Sequence, residues 1–281
     1  MLGAIAGDII GSMREKRNHV LYRLGKMTPF IDNALQREIN HTKRVDFELF
    51  GGYNNFTDDS VMTLAVADAI LNHKPYGGLI KDYGRRFPKR GYGGRFKKWL
   101  KSDSMKAYNS YGNGSAMRVS PVGFAFDTLE EVLAEAKASA EVTHNHPQGI
   151  EGAQAVAAAV FMARTGETKE AIRDYLSETF EYPLADTIED IRPTYRFDAT
   201  CEGSVPESII AFLDSHDFEH AVRLAISLGG DADTQAAIAG SIAQAFYKKI
   251  PANIVERCQA VLGTELWQLV EEFHDAYGVE Y

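Results

Sequence analysis

Cysteine is scarce in this 281-residue chain: only Cys201 and Cys258 occur, far apart and in no C-x-x-C pattern. That argues against a disulfide framework and a zinc site, and a reducing compartment, the cytoplasm, is the expected location. Long apolar runs are missing too. No stretch reaches the ~18 residues that a membrane-spanning helix needs, so no membrane partner is expected. The opening MLGAIAGDIIGS is briefly apolar, but it lacks a basic leader, carries Asp8 at its centre and soon meets charges. It is expected to be a buried helix rather than a signal peptide. Linkers, internal repeats and low-complexity tracts are absent, so one domain over residues 1–281 is expected, at the upper edge of what a single core serves. Positive charge is short overall: the formal net charge is −9. The molecule as a whole should therefore not bind nucleic acid non-specifically. A monomer is the expected state.

Period-two alternation, the mark of strands, is also scarce. Apolar residues recur instead at helical spacing. The spacing predicts helices over 2–12, 59–73, 128–141, 148–164, 167–179, 205–214, 217–228, 233–247, 252–262 and 264–277. Thr128 followed by Glu131, and Ser204 followed by Glu207, read as capping boxes. Pro251 opens the helix after Ile250. The chain reads as all-α. Residues 14–56 and 84–118 are not cleanly helical, and long irregular segments in a helical protein often carry function.

Small residues are placed on helix faces. Gly3, Gly7 and Gly11 are four apart and share one face. Each glycine costs ~1 kcal/mol relative to alanine in a helix interior, so three on one face imply close approach by another helix. The runs GAQAVAAAV (152–160) and AAIAGSIAQA (236–245) have the same character.

Two clusters stand out. Thr57-Asp58-Asp59-Ser60 precedes VMTLAVADAI, and Gly230-Asp231-Ala232-Asp233-Thr234 precedes QAAIAGSIAQAF. Each sets two carboxylates and hydroxyls at the start of an apolar helix. Helix capping explains one acceptor per helix, but Asp-Asp and Asp-x-Asp-Thr exceed what a cap uses. Carboxylates brought together repel unless a cation neutralises them. Their hard oxygens suit Mg²⁺, with Mn²⁺ as the alternative, and neither cluster holds a His or Cys that would favour zinc. Two ions a few ångströms apart would fit such a set. Spacing alone does not say that the clusters meet.

GAIAGDIIGS, TDDS, YGNGSAMRVSPVG, TH (143–144) and GGDADT, in this order, resemble the ADP-ribosylglycohydrolase family, over about residues 2–250. The implied fold is a compact, orthogonal all-α bundle with a dinuclear magnesium site in a surface cleft. The implied activity is removal of ADP-ribose from a modified acceptor, a protein side chain such as serine or arginine, by hydrolysis at C1″ of the distal ribose. Hydrolysis of another ADP-ribose conjugate, or an inactive ADP-ribose-binding module, are the rival readings. By the resemblance, Thr57, Asp58, Asp59, Asp231, Asp233 and Thr234 hold the metals. Glu15 matches a glutamate near the metals and the scissile bond, although Arg14 stands before it where the family has aromatic or small residues. Glu15, Asp58 and Asp233 are the candidate catalytic groups. Tyr111, Gly112, Asn113, Gly114, Ser115 and Met117 match the loop that holds ribose and diphosphate, and His144 matches a position near the adenosine.

Each residue also has a plainer explanation. Glu15 could be a surface acid past a helix end, Asn113 part of a turn, and His144 and His146 a helix start before Pro147. Asp8, a carboxylate in an apolar helix, is expected to orient a metal-site group rather than bind metal. Cys201 is expected to be a buried structural thiol. The stretch 85–106 holds nine Lys or Arg and one Asp, with Phe87, Tyr92, Phe96 and Trp99. It is expected to be an amphipathic lid with aromatics inward and charges outward. An acidic protein or nucleic acid as its partner is the sharper alternative.

Overall fold

Neither Pro nor Gly interrupts residues 12–24, and the first helix runs on accordingly. In the computed structural model, which describes residues 1–27 and 33–281, α1 spans Leu2–Met27, well past the expected end near residue 12. Glu15 therefore sits within a helix, not beyond one. The expected irregular region 14–56 shrinks further because α2 covers Asn33–Thr42; its residues 28–32 lie outside the described ones. The order continues with α3 (Asp58–Leu71), α4 (Tyr76–Arg86), α5 (Gly94–Lys101), α6 (Ser120–Ala125), α7 (Leu129–Glu141), α8 (Pro147–Thr165) and α9 (Lys169–Phe180). It closes with α10 (Ile188–Ile191), α11 (Val205–Leu213), α12 (Phe218–Ser227), α13 (Ala232–Tyr247) and α14 (Ala252–Tyr277). Among the described residues there is no strand, only one isolated bridge between Gly112 and Thr200. The all-α expectation holds. No described helix is long and apolar enough to cross a membrane.

The expected helices appear within a residue or two of their ends, apart from α1. The short α4, α5, α6 and α10 carried too few apolar turns to register as periodic. Thr128 and Glu131 form the expected capping box. Ser204 does not: its hydroxyl donates to the Thr200 carbonyl at 2.5 Å, and Glu207 does not reach back. A box forms instead at Thr187, closed by Asp190. The expected break between 262 and 264 appears within α14 as a kink at Gly263, whose φ of 73° only glycine adopts readily.

The centre of the molecule is α13, buried from Ala232 to Ala245, with α1, α8, α11 and α12 packed around it. The glycine face of α1 is what brings its backbone onto α13. A Cβ on Gly3 would lie 2.2 Å from the Gly240 carbonyl oxygen, and one on Gly7 2.0 Å from that of Ala236. A Cβ on Gly11 would lie 2.5 Å from the Asp233 Cα. This contact sets Asp8 of α1 beside the first turns of α3 and α13.

Candidate active site

Two helix starts, far apart in sequence, meet at the floor of one cleft. Thr57 caps α3 with extended backbone (φ −113°), its hydroxyl accepting from the Asp59 N–H at 3.3 Å. Asp8 reaches across from α1, fully buried. It accepts the Thr57 N–H at 2.8 Å, the Thr57 hydroxyl at 2.7 Å, the Ser60 N–H at 3.1 Å and the Ser60 hydroxyl. Three of these donors meet Oδ2 and one meets Oδ1, so Asp8 holds the start of α3 and Oδ1 keeps a lone pair to offer an ion. One oxygen each of Asp8, Asp59 and Asp233 lies within 4.8 Å of the others.

The second motif joins the first directly. Thr234 Oγ1 donates to Asp59 Oδ1 at 2.8 Å across 175 residues. Asp231 precedes α13 without capping it by its side chain. Its Oδ2 instead accepts from Asn113 Nδ2 at 2.8 Å, and the same amide reaches Ser204 Oγ at 3.2 Å. Asn113 is thus more than a turn residue: it ties the glycine loop to the second acidic motif.

Burial, then mutual repulsion, pushes the Asp59 and Asp233 carboxyls well above the usual carboxylate range. Asp58 is raised likewise, by burial first and then by Asp8, Asp231 and Glu15. Burial holds Asp231 up at about 6 despite the Asn113 bond. Glu15 lines the cleft and adds its charge to Asp58, Asp231 and Asp233, so α1 carries it to the cluster. Such crowding of acids is uphill without a cation. The donors are all oxygens, carboxylates with the Thr57 and Thr234 hydroxyls, and that set fits a hard divalent ion.

The cleft encloses about 1130 Å³, ample for a nucleotide-sized ligand. Of the expected binding loop, Gly112, Asn113, Gly114 and Met117 line it, as does His144. Tyr111 and Ser115 are not brought to its wall. Ser115 is buried with its hydroxyl on the Gly149 carbonyl at 2.6 Å, and Tyr111 is half-exposed with its ring 5.4 Å from His146. Burial, then Arg118 and Arg95, keep His144 well below its usual pKa and so neutral. Its Nδ1 lies 2.7 Å from Thr143 Oγ1. His146 is a helix start, as its plainer reading had it, capping α8 by accepting the Gln148 N–H at 3.3 Å. Cys201 is the buried thiol expected, its pKa pushed up to about 12 by burial.

The basic stretch behaves as an amphipathic wall. Tyr92, Phe96 and Trp99 are buried and most of its charges exposed. It also grips the site. The Arg90 carbonyl accepts the Asp58 N–H at 2.7 Å, and the Arg90 guanidinium lies 3.5 Å from the Phe56 ring centroid. Gly91 follows at φ 109°, where a Cβ would come within 2.6 Å of Asp58 Oδ1. Sequence reasoning did not name the wall residues His19, Tyr108 and Phe197, and it expected Tyr92 only to face the core. The Tyr92 hydroxyl is buried without a hydrogen-bond partner among the described residues. Tyr92 lies inside a stretch already singled out, but His19 and Phe197, 5.2 Å apart ring to ring, come from segments with no motif.

Comparison with known proteins gives the family of the chain. The family model described as ADP-ribosylglycohydrolase matches residues 1–281. The "ADP-ribosylhydrolase ARH3" of Gallus gallus is 27% identical, over 99% of this chain and 92% of its own length; that of Homo sapiens is 26% identical over the same shares. The "ADP-ribosylarginine hydrolase Tri1" of Pseudomonas putida is 25% identical, over 98% of this chain and 76% of its own. A solved "ADP-ribosylglycohydrolase-related protein complex" has the same fold, at a TM-score of 0.63 and 24% identity, covering 79% of this chain and 82% of that one. The match spans both acidic motifs and every wall of the cleft around them, and the chain belongs to the ADP-ribosylglycohydrolase family, a family of glycosidase-type hydrolases.

Proposed function

We propose that the chain is a metal-dependent hydrolase that removes ADP-ribose from a modified protein side chain, serine or arginine, by cleaving the bond at C1″ of the distal ribose. The observation that carries this reading is the Thr234–Asp59 hydrogen bond, which joins the two acidic motifs at the cleft floor. Asp58, Asp59, Asp231 and Asp233, with Thr57 and Thr234, would hold two Mg²⁺ ions, or Mn²⁺ in their place. The chemistry such ions supply when bound is Lewis-acid polarisation and a lowered pKa for water.

The chain's own groups do the rest. Asp8 fixes the start of α3, and Asn113 fixes Asp231. The transition state of glycosyl hydrolysis resembles an oxocarbenium ion, which carboxylates near C1″ stabilise. Glu15, Asp58 and Asp233 are the candidates to move a proton there. Backbone N–H groups of the loop from Gly112 to Met117 can cradle the diphosphate. His144, neutral and buried, would pack beside the adenosine without repelling or attracting it by charge.

The test is release of ADP-ribose from serine-linked and arginine-linked ADP-ribosyl peptides, with Mg²⁺ and with chelator. Metal-dependent release, lost in Asp58→Ala and Asp231→Ala, is expected. No release from either peptide, with free ADP-ribose still bound, would overturn the protein acceptor and leave another conjugate or a sensor.

A further inference from the structure

Charge is sorted within the cleft. Its acids are Asp58, Asp59, Asp231 and Asp233 on the floor, with Glu15 beside them. The Lys and Arg side chains that line it are Arg23, Lys89, Arg90, Arg95, Lys97 and Arg118. Three of these have work within the fold. Arg118 is buried on the Ser139 carbonyl and Thr143 Oγ1, at 2.7 and 3.0 Å. Arg90 braces Asn55 and Phe56, and Arg95 holds the Tyr108 carbonyl. Arg23, Lys89 and Lys97 are exposed, and no ion pair or hydrogen bond engages their side chains among the described residues.

Two of the three adjoin, along the chain, groups that stand at the floor. Arg23 lies two helical turns past Glu15 on the same face of α1, with His19 between. Lys89 precedes Arg90, whose carbonyl holds the Asp58 N–H. Arg95 stacks on Tyr108 beside His144, toward the end of the cleft given to the nucleotide, and Lys97 follows Arg95 on α5. In a chain of net charge −9 the surrounding field repels anions, so unneutralised cations at a cleft mouth make a local well for negative charge.

We propose that Arg23 and Lys89 form an anion-selecting rim on the acceptor side, and that the preferred acceptor is a peptide with acidic residues flanking the modified side chain. This rests on the hydrolase reading above and adds the chemistry of its partner. A nucleic-acid acceptor is the weaker fit, because two cations neutralise few phosphates and the rest of the molecule repels them.

The probes are fluorescent peptides ADP-ribosylated on one serine, with Asp/Glu flanks or with Lys/Arg flanks. Binding is measured in chelator, and kcat/KM with Mg²⁺, at about 0.05 M and about 0.5 M salt, where screening differs strongly. The acidic peptide should lead by about tenfold at low salt, and the lead should shrink at high salt. In the double variant Arg23→Glu/Lys89→Glu it should reverse, with free ADP-ribose bound as before. Equal binding and turnover of the two peptides would overturn the proposal. So would loss of free ADP-ribose affinity in the variant, which would give both cations to the diphosphate, or stronger binding of an ADP-ribosylated DNA end than of the acidic peptide. Flank-dependent binding in chelator without turnover in Mg²⁺ would instead keep the rim and sink the hydrolase reading.

Discussion

Replacing Gly7 with alanine should force α1 away from α13. The added Cβ would sit 2.0 Å from the Ala236 carbonyl oxygen and 2.3 Å from its carbon, where ordinary contact begins near 3.4 Å. The difference, about 1.4 Å, must come from movement of one backbone against another, because no side chain is there to swing aside. Overpacking of a core costs about 1–3 kcal/mol, and a backbone-to-backbone clash belongs at or above the upper end. For a chain of this size about 3 kcal/mol lowers Tm by roughly 6–12 °C. Activity should suffer more than stability. Asp8 is the next residue, Thr234 lies two residues from Ala236, and misplacement by about 1 Å costs on the order of 100-fold in rate. Thermal unfolding and ADP-ribose release measure the two effects. Gly78→Ala is the counterpart: it is exposed within α4 with nothing within 4 Å of its added Cβ. It should stabilise by about 0.5–1 kcal/mol. A Gly7→Ala protein melting within about 1 °C of wild type would refute the reasoning.

The acidic cluster predicts a pH dependence of stability in chelator. Asp58, Asp59 and Asp233 are raised in the folded state and Asp231 sits near 6, so the fold holds protons that the unfolded chain releases. That stability is present below the ordinary carboxylate pKa of about 4 and is lost as pH climbs through 6 and beyond. The chelated protein should therefore melt higher at pH 5 than at pH 8, and saturating Mg²⁺ should raise Tm most at the higher pH. A Tm that rises with pH in chelator would count against the cluster as drawn. Asn113→Ala removes the 2.8 Å bond to Asp231 and should weaken Mg²⁺ binding by about 10-fold or more, as loss of groups that orient ligands does; calorimetric titration with unchanged affinity would sink that role. Cys201, buried with its thiol pushed up to about 12, should resist alkylation in the native state and react only on unfolding. Thr128→Ala opens the capping box of α7 and should cost about 1 kcal/mol, read from denaturant unfolding.

Much of this protein was determined by local chemistry, which one chain carries without its neighbours. The helical period of α3, α7, α8, α9 and α11 to α14, the break at Gly263 and the Thr128 cap follow from side-chain spacing and backbone preference, which act within a turn or two. The glycine face of α1 announced a close partner, and the two acidic motifs announced oxygen ligands, because residue type alone limits what those positions can do. What the partner was, and whether the motifs met, were decisions of tertiary structure. Gly7 rests on Ala236, and Thr234 bonds Asp59, through contacts more than 170 residues apart in the chain. Asp8 both holds the start of α3 and stands within 4.8 Å of Asp59 and Asp233, because α1 brings it to where Thr57 and Ser60 converge. The continuation of α1 to Met27 was hidden by its polar turns, whose helix is held by packing of Asn18 and Leu21 rather than by an apolar stripe. Ser204 failed as a cap for the same kind of reason: the Thr200 carbonyl and the Asn113 amide competed for its hydroxyl. His19 and Phe197 reach the cleft from segments whose sequence carries no signal, since a wall is made by surfaces meeting and not by any one of them.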